Sequence, residues 1–275
     1  MGIGEILSYG FIQRALIAGT LIAVLCSVLG VFLVLRRLSL IGDGLAHVTF
    51  GSVALSLIMG FSSAYVTIAA IPLVLLSSLG ILKLTEKARI YGDAAIGIVS
   101  SLGIACGIIL ASVAGGFNVD LFSYLFGNIL AIGNNDLAVA AVLFIVVMLA
   151  VALFYRDLFA ITFDEELAKC SGVRTATINT VLVLLTALTV VLAMKVVGIM
   201  LISALLILPA VSALQVARSF LSTIFASCGF ATVSVITGIF GSFVLNLPTG
   251  GSIVIVNFIL FIMAFSWKYA RKARG

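Results

Sequence analysis

The sequence predicts an all-α, polytopic transmembrane helix bundle, and three observations lead to that prediction. Of the 275 residues, 63% are hydrophobic and only 9% are charged, whereas soluble domains carry roughly 25% charged residues. Apolar runs recur along the whole chain and approach the roughly 20 residues that a helix needs to cross ~30 Å of hydrocarbon. The few charges gather between those runs. Residues 1–275 are therefore predicted to form one transmembrane domain.

The apolar runs give nine candidate spans and hence eight or nine crossings. In chain order they cover residues 11–35, 44–59, 64–82, 95–113, 137–155, 177–193, 196–208, 221–245 and 252–267. Two of them, 44–59 and 196–208, are short for a full crossing, and short or broken spans of transporters often line a cavity. Glycine pairs such as Gly103 and Gly107 indicate close helix packing.

The placement of charge predicts the orientation of the chain. Basic residues occupy the segments 83–93, 155–175 and 268–275 and positions Arg36 and Arg37. Because cytoplasmic loops are enriched in Lys and Arg, these segments are expected on the cytoplasmic side. The acidic or neutral segments 117–136 and 245–251 fit the outer side, which leaves the N-terminus outside and the C-terminus inside. The net charge of +5 therefore reflects topology rather than binding to nucleic acid.

Two segments outside these spans carry helix signals. Asp164 precedes EELAKCSG, which predicts a short polar helix in the cytoplasm. In LILPAVSALQVARSF (206–220), Pro209 is expected to break the helix, because proline removes a backbone hydrogen bond. Beyond it, Gln215 and Arg218 mark a mildly amphipathic segment that we interpret as a short helix at the membrane surface.

One pair of ionisable residues lies inside an apolar region. Asp43 and His47, the only histidine, are four residues apart in RRLSLIGDGLAHVTF (36–50), a spacing that puts both on one helix face. Ionisable groups at membrane depth are costly and by default indicate function. Imidazole suits zinc and carboxylate suits manganese, so the pair fits either ion. The sequence therefore predicts that Asp43 and His47 contact a divalent cation.

Two structural interpretations of this pair stay open. Asp43 precedes an apolar helical run, so its carboxylate could act only as an N-cap, which contributes ~1 kcal/mol. His47 could instead hydrogen-bond a neighbouring helix. Capping and cation contact are compatible, because one carboxylate oxygen can cap while the other faces a cavity.

The remaining charges near the spans are expected at surfaces. Arg14 lies near the outer end of the first span and can extend its guanidinium to the interface. Lys195 lies between two spans on the outer side. Asp120 and Asp136 flank an outer segment, where they are either solvated ends or contacts for cations or for an extracytoplasmic protein.

Several chemistries are excluded by what the sequence lacks. It has no GxxxxGK[ST] motif to hold ATP phosphates, and one histidine cannot make HExxH. A tight zinc site usually needs three or four ligands, and no nucleophile with a partner base stands out. We therefore predict that the chain is not an enzyme and binds no cofactor of its own.

Five stretches carry a resemblance that covers about residues 11–267. They are VLRRLSLIGDGLAHVTFGSVAL (34–55), VDLFSYLFGNILAI (119–132), FDEELAKCSGV (163–173), AMKVVGIMLISALLILPAVSALQVAR (193–218) and LPTGGSIV (247–254). Each stretch alone is a weak signal, whereas their order and spacing are specific. Together they resemble the integral membrane permease of a zinc or manganese ABC importer.

The resemblance implies a type II ABC importer-like bundle in the bacterial cytoplasmic (inner) membrane. It implies a homodimer of this chain around the pathway, a homodimer of ATP-binding subunits on the cytoplasmic face, and an extracytoplasmic metal-binding protein that delivers the ion. The Asp and His of the family's GDxLxH pattern, here Asp43 and His47, are thought to contact the metal in transit. The region of Pro209, Gln215 and Arg218 resembles the helix that couples to the ATPase.

The expected function is the permease of an ATP-driven divalent metal importer. Zinc is placed ahead of manganese because VDLFSYLFGNILAI resembles the zinc branch more closely. Two alternatives stay open. One is a type II permease for an iron chelate or a vitamin, and the other is a metal secondary transporter or channel that needs no ATPase.

Overall fold

The computed structural model describes residues 9–61, 63–86, 88, 90–113, 124–127, 132–196, 198–199 and 202–272. Eleven helices have both ends in this part of the chain, which contains no β-strand. In chain order they are α1 Gly10–Leu35, α2 Ile41–Ile58, α3 Ser63–Glu86, α4 Gly92–Val113, α5 Asn134–Leu153, α6 Tyr155–Phe163, α7 Glu165–Cys170, α8 Thr175–Val196, α9 Ile202–Val216, α10 Phe220–Leu245 and α11 Thr249–Lys272.

Eight of these helices, α1 to α5, α8, α10 and α11, are long and apolar enough to cross a membrane. The prediction of an all-α, polytopic bundle is therefore confirmed. The two short predicted spans have different bounds from those expected. The span predicted at 44–59 is α2, which begins earlier, at Ile41, and the span predicted at 196–208 is replaced by α9, a shorter apolar helix of 15 residues.

The helices differ in how much of their surface the rest of the bundle covers. The membrane-crossing windows of α1 and α2 are each 72% buried, whereas that of α5 is 17% buried. A helix that is apolar on all sides must lie either in a core or against lipid. α1, α2 and α8 therefore form the centre of the bundle, and α4, α5 and α11 surround them with apolar surface.

Helix α2 packs most extensively against α4, and glycines set the distance between the two backbones. A methyl group on Gly103 would lie 2.8 Å from the Cα of Val48, and one on Gly51 would lie 2.7 Å from the Gly103 carbonyl oxygen. Lipid tails are as apolar as leucine, so helices in membranes associate through such close contacts. The arrangement agrees with the packing role predicted for Gly103 and Gly107.

One end of the bundle collects basic residues. Arg36 follows α1, Lys83 lies in the last turn of α3, Lys169 in the last turn of α7, Arg174 directly before α8, and Lys268 near the end of α11. By the positive-inside rule, this end is assigned to the cytoplasm. Helix α1 therefore begins at the outer end, and α2 begins from the cytoplasmic side.

A buried arginine ties α7 to the cytoplasmic end of the bundle. The Arg36 side chain is 9% exposed, and its guanidinium donates to Glu165 Oε2 at 2.7 Å and to Asn179 Oδ1 at 2.6 Å. Asn179 Nδ2 also donates to Glu165 Oε1 at 2.9 Å. Burial lowers the pKa of Arg36, and the Glu165 carboxylate opposes that shift. Asp164 caps α7 by accepting from the backbone N–H of Leu167 at 2.9 Å.

The expected helix break at Pro209 is wrong. Helix α9 runs without interruption from Ile202 to Val216, with Pro209 inside it and buried. Proline is tolerated inside membrane helices because neighbouring helices and local adjustments compensate for the lost hydrogen bond, and α9 packs against α1, α10 and α11. A separate surface helix over 209–220 is also absent from this described segment, since α10 begins at Phe220.

Candidate metal centre

The predicted pair lies in the first two turns of α2. The helix begins at Ile41, its N-cap position is Leu40, and no side chain caps it. Asp43 is therefore a first-turn residue, and the interpretation of Asp43 as an N-cap is wrong. Its negative charge is still favourable there, because the first turn is the positive end of the helix dipole. Both carboxylate oxygens remain available to groups outside the helix backbone.

The Asp43 carboxylate contacts two side chains from different helices. His47 Nε2 lies 3.4 Å from Asp43 Oδ2, at the i, i+4 spacing that was predicted. Ser203 Oγ, in the first turn of α9, donates to Asp43 Oδ1 at 3.1 Å. The side chain of Asp43 is 47% exposed and that of His47 is 17% exposed. The carboxylate thus lies at the surface of the single chain, held from one side by α9.

Two glycines allow α9 to approach the pair. A methyl group on Gly42 would lie 2.4 Å from Leu206 Cδ1, and one on Gly30 would collide with the Leu206 carbonyl. Leu206 fits against both glycines. Because Ser203 lies about one turn before Leu206 in α9, it comes within hydrogen-bonding distance of Asp43. Gly42 is therefore needed for the close packing of α9 beside the carboxylate.

The pair lies inside the membrane-spanning part of the bundle. The candidate membrane span of α2 runs from Ile41 to Ile58 and contains both residues. Asp43 is the third residue of that span, and His47 lies about one turn further from the cytoplasmic end. An ionisable pair at that depth is a functional candidate on energetic grounds.

The distance between the two side chains suits one shared metal ion. Two ligand atoms 3.4 Å apart, each about 2.1 Å from the metal, subtend an angle of about 110° at it. That angle is near tetrahedral, and a closer approach to about 3.0 Å would give the right angle of an octahedral site. In the described residues there is no group of three or more His, Cys, Asp or Glu side chains that could hold a metal. The pair supplies two ligands, so a complete metal site would need further ligands from outside this pair.

Ser203 was missed by the sequence analysis. It lies 160 residues from Asp43 in the chain, so no local pattern connects them. The available signal was a lone hydroxyl in the apolar run GIMLISALLILPA, which is a weak indication because membrane helices often bond a serine to their own carbonyls.

The other predicted residues lie elsewhere. Arg14 Nη1 donates to Asn134 Oδ1 at 3.1 Å, so this guanidinium joins α1 to α5. Asp136 Oδ2 accepts from the backbone N–H of Gly133 at 3.1 Å, at the start of α5. Asp120 lies outside the described residues, as does the side chain of Lys195.

The three residues predicted to couple to an ATPase differ in accessibility. Pro209 is buried within α9. Gln215 Oε1 accepts from Lys268 Nζ at 3.0 Å, which joins the end of α9 to α11. Arg218 is exposed in the short connection between α9 and α10.

In the described part of the chain, the all-α bundle with eight candidate spans is that of a polytopic membrane protein, and it presents a half-exposed carboxylate beside an imidazole within one span. Residues 8–268 match the ABC 3 transport family, and the chain belongs to that family. It is a multi-pass protein of the bacterial inner membrane.

Individual relatives cover nearly the whole chain. The manganese transport system membrane protein MntC of Listeria innocua is 36% identical over 260 residues, which is 94% of this chain and 91% of the relative. The manganese import system permease protein ScaB of Streptococcus gordonii is 37% identical over 257 residues, with coverage of 94% and 91%. The structure of PsaBC from Streptococcus pneumoniae in complex with Fab superposes with a TM-score of 0.85 at 36% identity, covering 96% of this chain and 94% of that one.

Proposed function

We propose that this chain is the membrane-spanning permease of an ATP-driven importer whose cargo is a divalent metal ion, with manganese ahead of zinc. The observation that carries the proposal is the Asp43–His47 pair, whose ligand atoms are 3.4 Å apart at membrane depth. Family membership supplies the transporter class. The named functions of the relatives MntC and ScaB supply the expected cargo.

The preference for manganese reverses the order expected from the sequence. Zinc was placed first on the likeness of VDLFSYLFGNILAI to the zinc branch, and most of that stretch lies outside the described residues. The relatives MntC and ScaB, which each match over 94% of the chain, are named for manganese. The ligand chemistry is compatible with either ion, since carboxylate oxygen suits manganese and imidazole suits both.

The exposed side of the pair supports a site completed by a second copy of the chain. Two ligands are fewer than a tight metal site uses, and the Asp43 side chain is 47% exposed on the single chain. Two copies facing each other would offer two carboxylates and two imidazoles to one ion. A site shared between two copies can also weaken when the copies separate, which release of a transported ion requires.

The ends of the bundle support two kinds of partner. At the cytoplasmic end, Arg218 and the neighbouring Gln215 are accessible to ATP-binding subunits, while Pro209 acts through the packing of α9 and makes no contact. At the outer end, the start of α5 near Asp136 is available to an extracytoplasmic metal-binding protein. Movement of α9 would displace Ser203 and hence the Asp43 carboxylate, which gives the ATPase a mechanical route to the ion.

The decisive experiment measures accumulation of radioactive Mn²⁺ in a strain that lacks its own importer and expresses this chain with its partner subunits. Asp43→Asn and His47→Gln keep the size of each side chain and remove a metal ligand. Each is expected to lower uptake by at least about tenfold, equivalent to about 1.4 kcal/mol. Competition by unlabelled Mn²⁺, Zn²⁺ and Fe²⁺ then orders the cargo ions.

Asp93→Asn is the matched control, because Asp93 is also a first-turn carboxylate, on α4, and is exposed. It is expected to retain uptake within about twofold, since it loses only the helix-dipole interaction. Normal uptake by a well-expressed Asp43→Asn, His47→Gln double variant would refute the site. Uptake that persists without any ATP-binding subunit would instead favour a secondary transporter.

A further inference from the structure

The start of α2 exposes three residues on one face, and two of them are the metal pair. Among residues 40–50, all of which the structure describes, only Leu40, Asp43 and His47 are not buried. Their spacings of three and four residues place them on one side of the helix. Leu40 is 50% exposed, which is close to the 47% exposure of the Asp43 side chain. The face that presents the metal pair therefore also presents one large apolar side chain.

Leu40 lies on the cytoplasmic side of the metal pair. Helix α2 begins from the cytoplasmic side, and Leu40 is its N-cap position. Leu40 therefore lies about one helical turn nearer the cytoplasm than Asp43, whereas His47 lies about one turn further from it. An ion that moves inward along this face meets the imidazole first, then the carboxylate, and the leucine last.

Helix α9 adds a second apolar side chain at the level of Leu40. This helix runs from the depth of Asp43 toward the cytoplasmic end, where its last turn bonds α11. Ile207 follows Ser203, the partner of Asp43, by four residues. It therefore lies on the same face of α9 as Ser203, about one turn nearer the cytoplasm, and it is partly exposed. Leu40 and Ile207 thus flank the cytoplasmic side of the Asp43–Ser203 contact.

The backbone holds Leu40 in a fixed position. The connection between α1 and α2 has only five residues, 36–40. Within it, the N–H of Leu38 donates to the Leu33 carbonyl at 2.8 Å. The Leu40 carbonyl accepts from the N–H of Gly44 at 3.0 Å. The short connection therefore fixes Leu40, whereas Ile207 moves with α9 in the function proposed above.

Two apolar side chains at this point can exclude an ion but cannot bind it. Leucine and isoleucine offer no ligand atom to a metal, and a narrow apolar passage blocks ions because it loses its water. Asp43 is only the third residue of its span. Without a barrier on its cytoplasmic side, its carboxylate would be open to the cytoplasm, and an importer would leak its cargo ion.

We propose that Leu40 and Ile207 form the cytoplasmic gate of the ion pathway, closed where the same two residues of a second copy of the chain meet them. The proposal rests on the proposed function, because it needs the Asp43 face to line a pathway between two copies. In the resting state the four apolar side chains exclude water and ions. Movement of α9 by the ATP-binding subunits separates Ile207 from Leu40 and opens the passage.

The test measures entry of Mn²⁺ without ATP into vesicles of phosphatidylethanolamine and phosphatidylglycerol. The vesicles contain the purified complex of this chain with its ATP-binding subunits and a trapped dye that Mn²⁺ quenches. Leu40→Ala is expected to raise the quenching rate about tenfold over the wild type, because both copies lose an apolar side chain from the constriction. Ile207→Ala should raise it about threefold, since this side chain is less exposed. Leu40→Met keeps the apolar volume and should show the wild-type rate.

Leu149→Ala is the matched control, because Leu149 is 58% exposed on α5, the least buried of the crossing helices. It should leave the quenching rate unchanged. Equal rates for Leu40→Ala and Leu149→Ala would overturn the gate. Escape of the trapped dye from Leu40→Ala vesicles would also overturn it, because dye escape indicates a damaged bundle. Should Leu40→Ala fail to assemble with the ATP-binding subunits, Ile207→Ala decides by the same comparison.

ATP-driven uptake by Asp43→Asn separates failure of the gate from failure of the proposed function. Loss of uptake in Asp43→Asn, without a leak in Leu40→Ala, would overturn the gate and support the metal site. A leak in Leu40→Ala, with normal uptake in Asp43→Asn, would support the gate and refute the metal site.

Discussion

The two polar clusters inside this apolar bundle differ in whether the chain supplies their partners. Asp43 receives a hydrogen bond from Ser203 and lies against His47. Arg14 Nε and Thr67 Oγ1, at the outer end of the bundle, are buried and have no hydrogen-bond partner among the described residues. In the first cluster, the fold supplies both partners of the carboxylate. In the second, it leaves two buried donors without an acceptor.

Packing explains why the two clusters differ. The first lies on α2, which is 72% buried and crosses α4 at glycines that leave no space between backbones. In the second cluster, Thr67 lies on α3, whose membrane-crossing window is only 33% buried. A closely packed helix holds side chains in fixed positions, whereas a peripheral helix has fewer neighbours to supply partners. Three variants test this contrast, in addition to the uptake experiments above.

The largest effect is expected from Gly103→Ala, which disrupts the packing of α4 against α2 beside His47. The new methyl group would lie 2.8 Å from Val48 Cα and 2.9 Å from the His47 carbonyl oxygen, both backbone atoms that cannot move independently. Such overpacking should lower the free energy of unfolding by about 1–3 kcal/mol, measured by thermal unfolding in one detergent. Gly97→Ala, in the same helix with nothing within 4 Å, is the control and should be as stable as the wild type. If Gly103→Ala and Gly97→Ala unfolded at the same temperature, the close approach of α2 and α4 at Gly103 would not be required for stability.

A smaller effect is expected from Ser203→Ala, which removes one partner of Asp43 and leaves the packing intact. The concentration of Mn²⁺ for half-maximal uptake should fall by about threefold to tenfold, because the Ser203 hydroxyl competes with the ion for the carboxylate. A hydrogen bond to a charged group contributes about 1.5–3 kcal/mol, and the lower end applies because this carboxylate is half exposed. Ser203→Thr keeps the hydroxyl and should restore the wild-type value. Ser212→Ala, on the same helix with its hydroxyl bonded to the Leu208 carbonyl, should have no effect. An unchanged value in Ser203→Ala would mean that Asp43 does not need this contact.

The smallest effects are expected from two isosteric replacements, which should change the free energy of unfolding in opposite directions. Thr49→Val removes a hydroxyl that bonds the Leu45 carbonyl of the same helix and should lower the free energy of unfolding by about 0.5–1.5 kcal/mol. Thr67→Val removes a hydroxyl without a partner and should raise that free energy by up to about 1 kcal/mol. Both residues are β-branched, so helix propensity cancels. Thermal unfolding at matched detergent concentration checks the signs, and destabilisation by both variants would contradict the contrast.

Local pattern was sufficient for much of the fold and half of the site. Apolar runs predicted the spans because length and hydropathy are properties of a single segment. The Asp43–His47 contact followed from the i, i+4 spacing because both residues lie on one helix. The packing of Gly103 was readable because small residues are the usual means of close approach in a membrane.

Contacts between distant segments could not be predicted. Ser203 reaches Asp43 across 160 residues and Arg14 reaches Asn134 across 120 residues, and both depend on how whole helices cross. Pro209 was misjudged for a related reason: a rule for isolated helices predicted a break, and the neighbours of α9 removed it. The N-cap interpretation of Asp43 is wrong because the helix already begins at Ile41, two residues before Asp43.

Helix α9 begins at the depth of Asp43 and not at the outer surface, and this has an electrostatic consequence. Its first turn, which contains Ser203, carries the partial positive charge of a helix N-terminus, equivalent to roughly half an elementary charge. That field attracts the same carboxylate that a cation would use. If Asp43 binds the cargo as proposed, an arriving ion would compete with α9 for the carboxylate, and a departing ion would leave a carboxylate that is already stabilised. The position at which α9 begins would then lower the affinity for the cargo and raise the rate at which the cargo leaves.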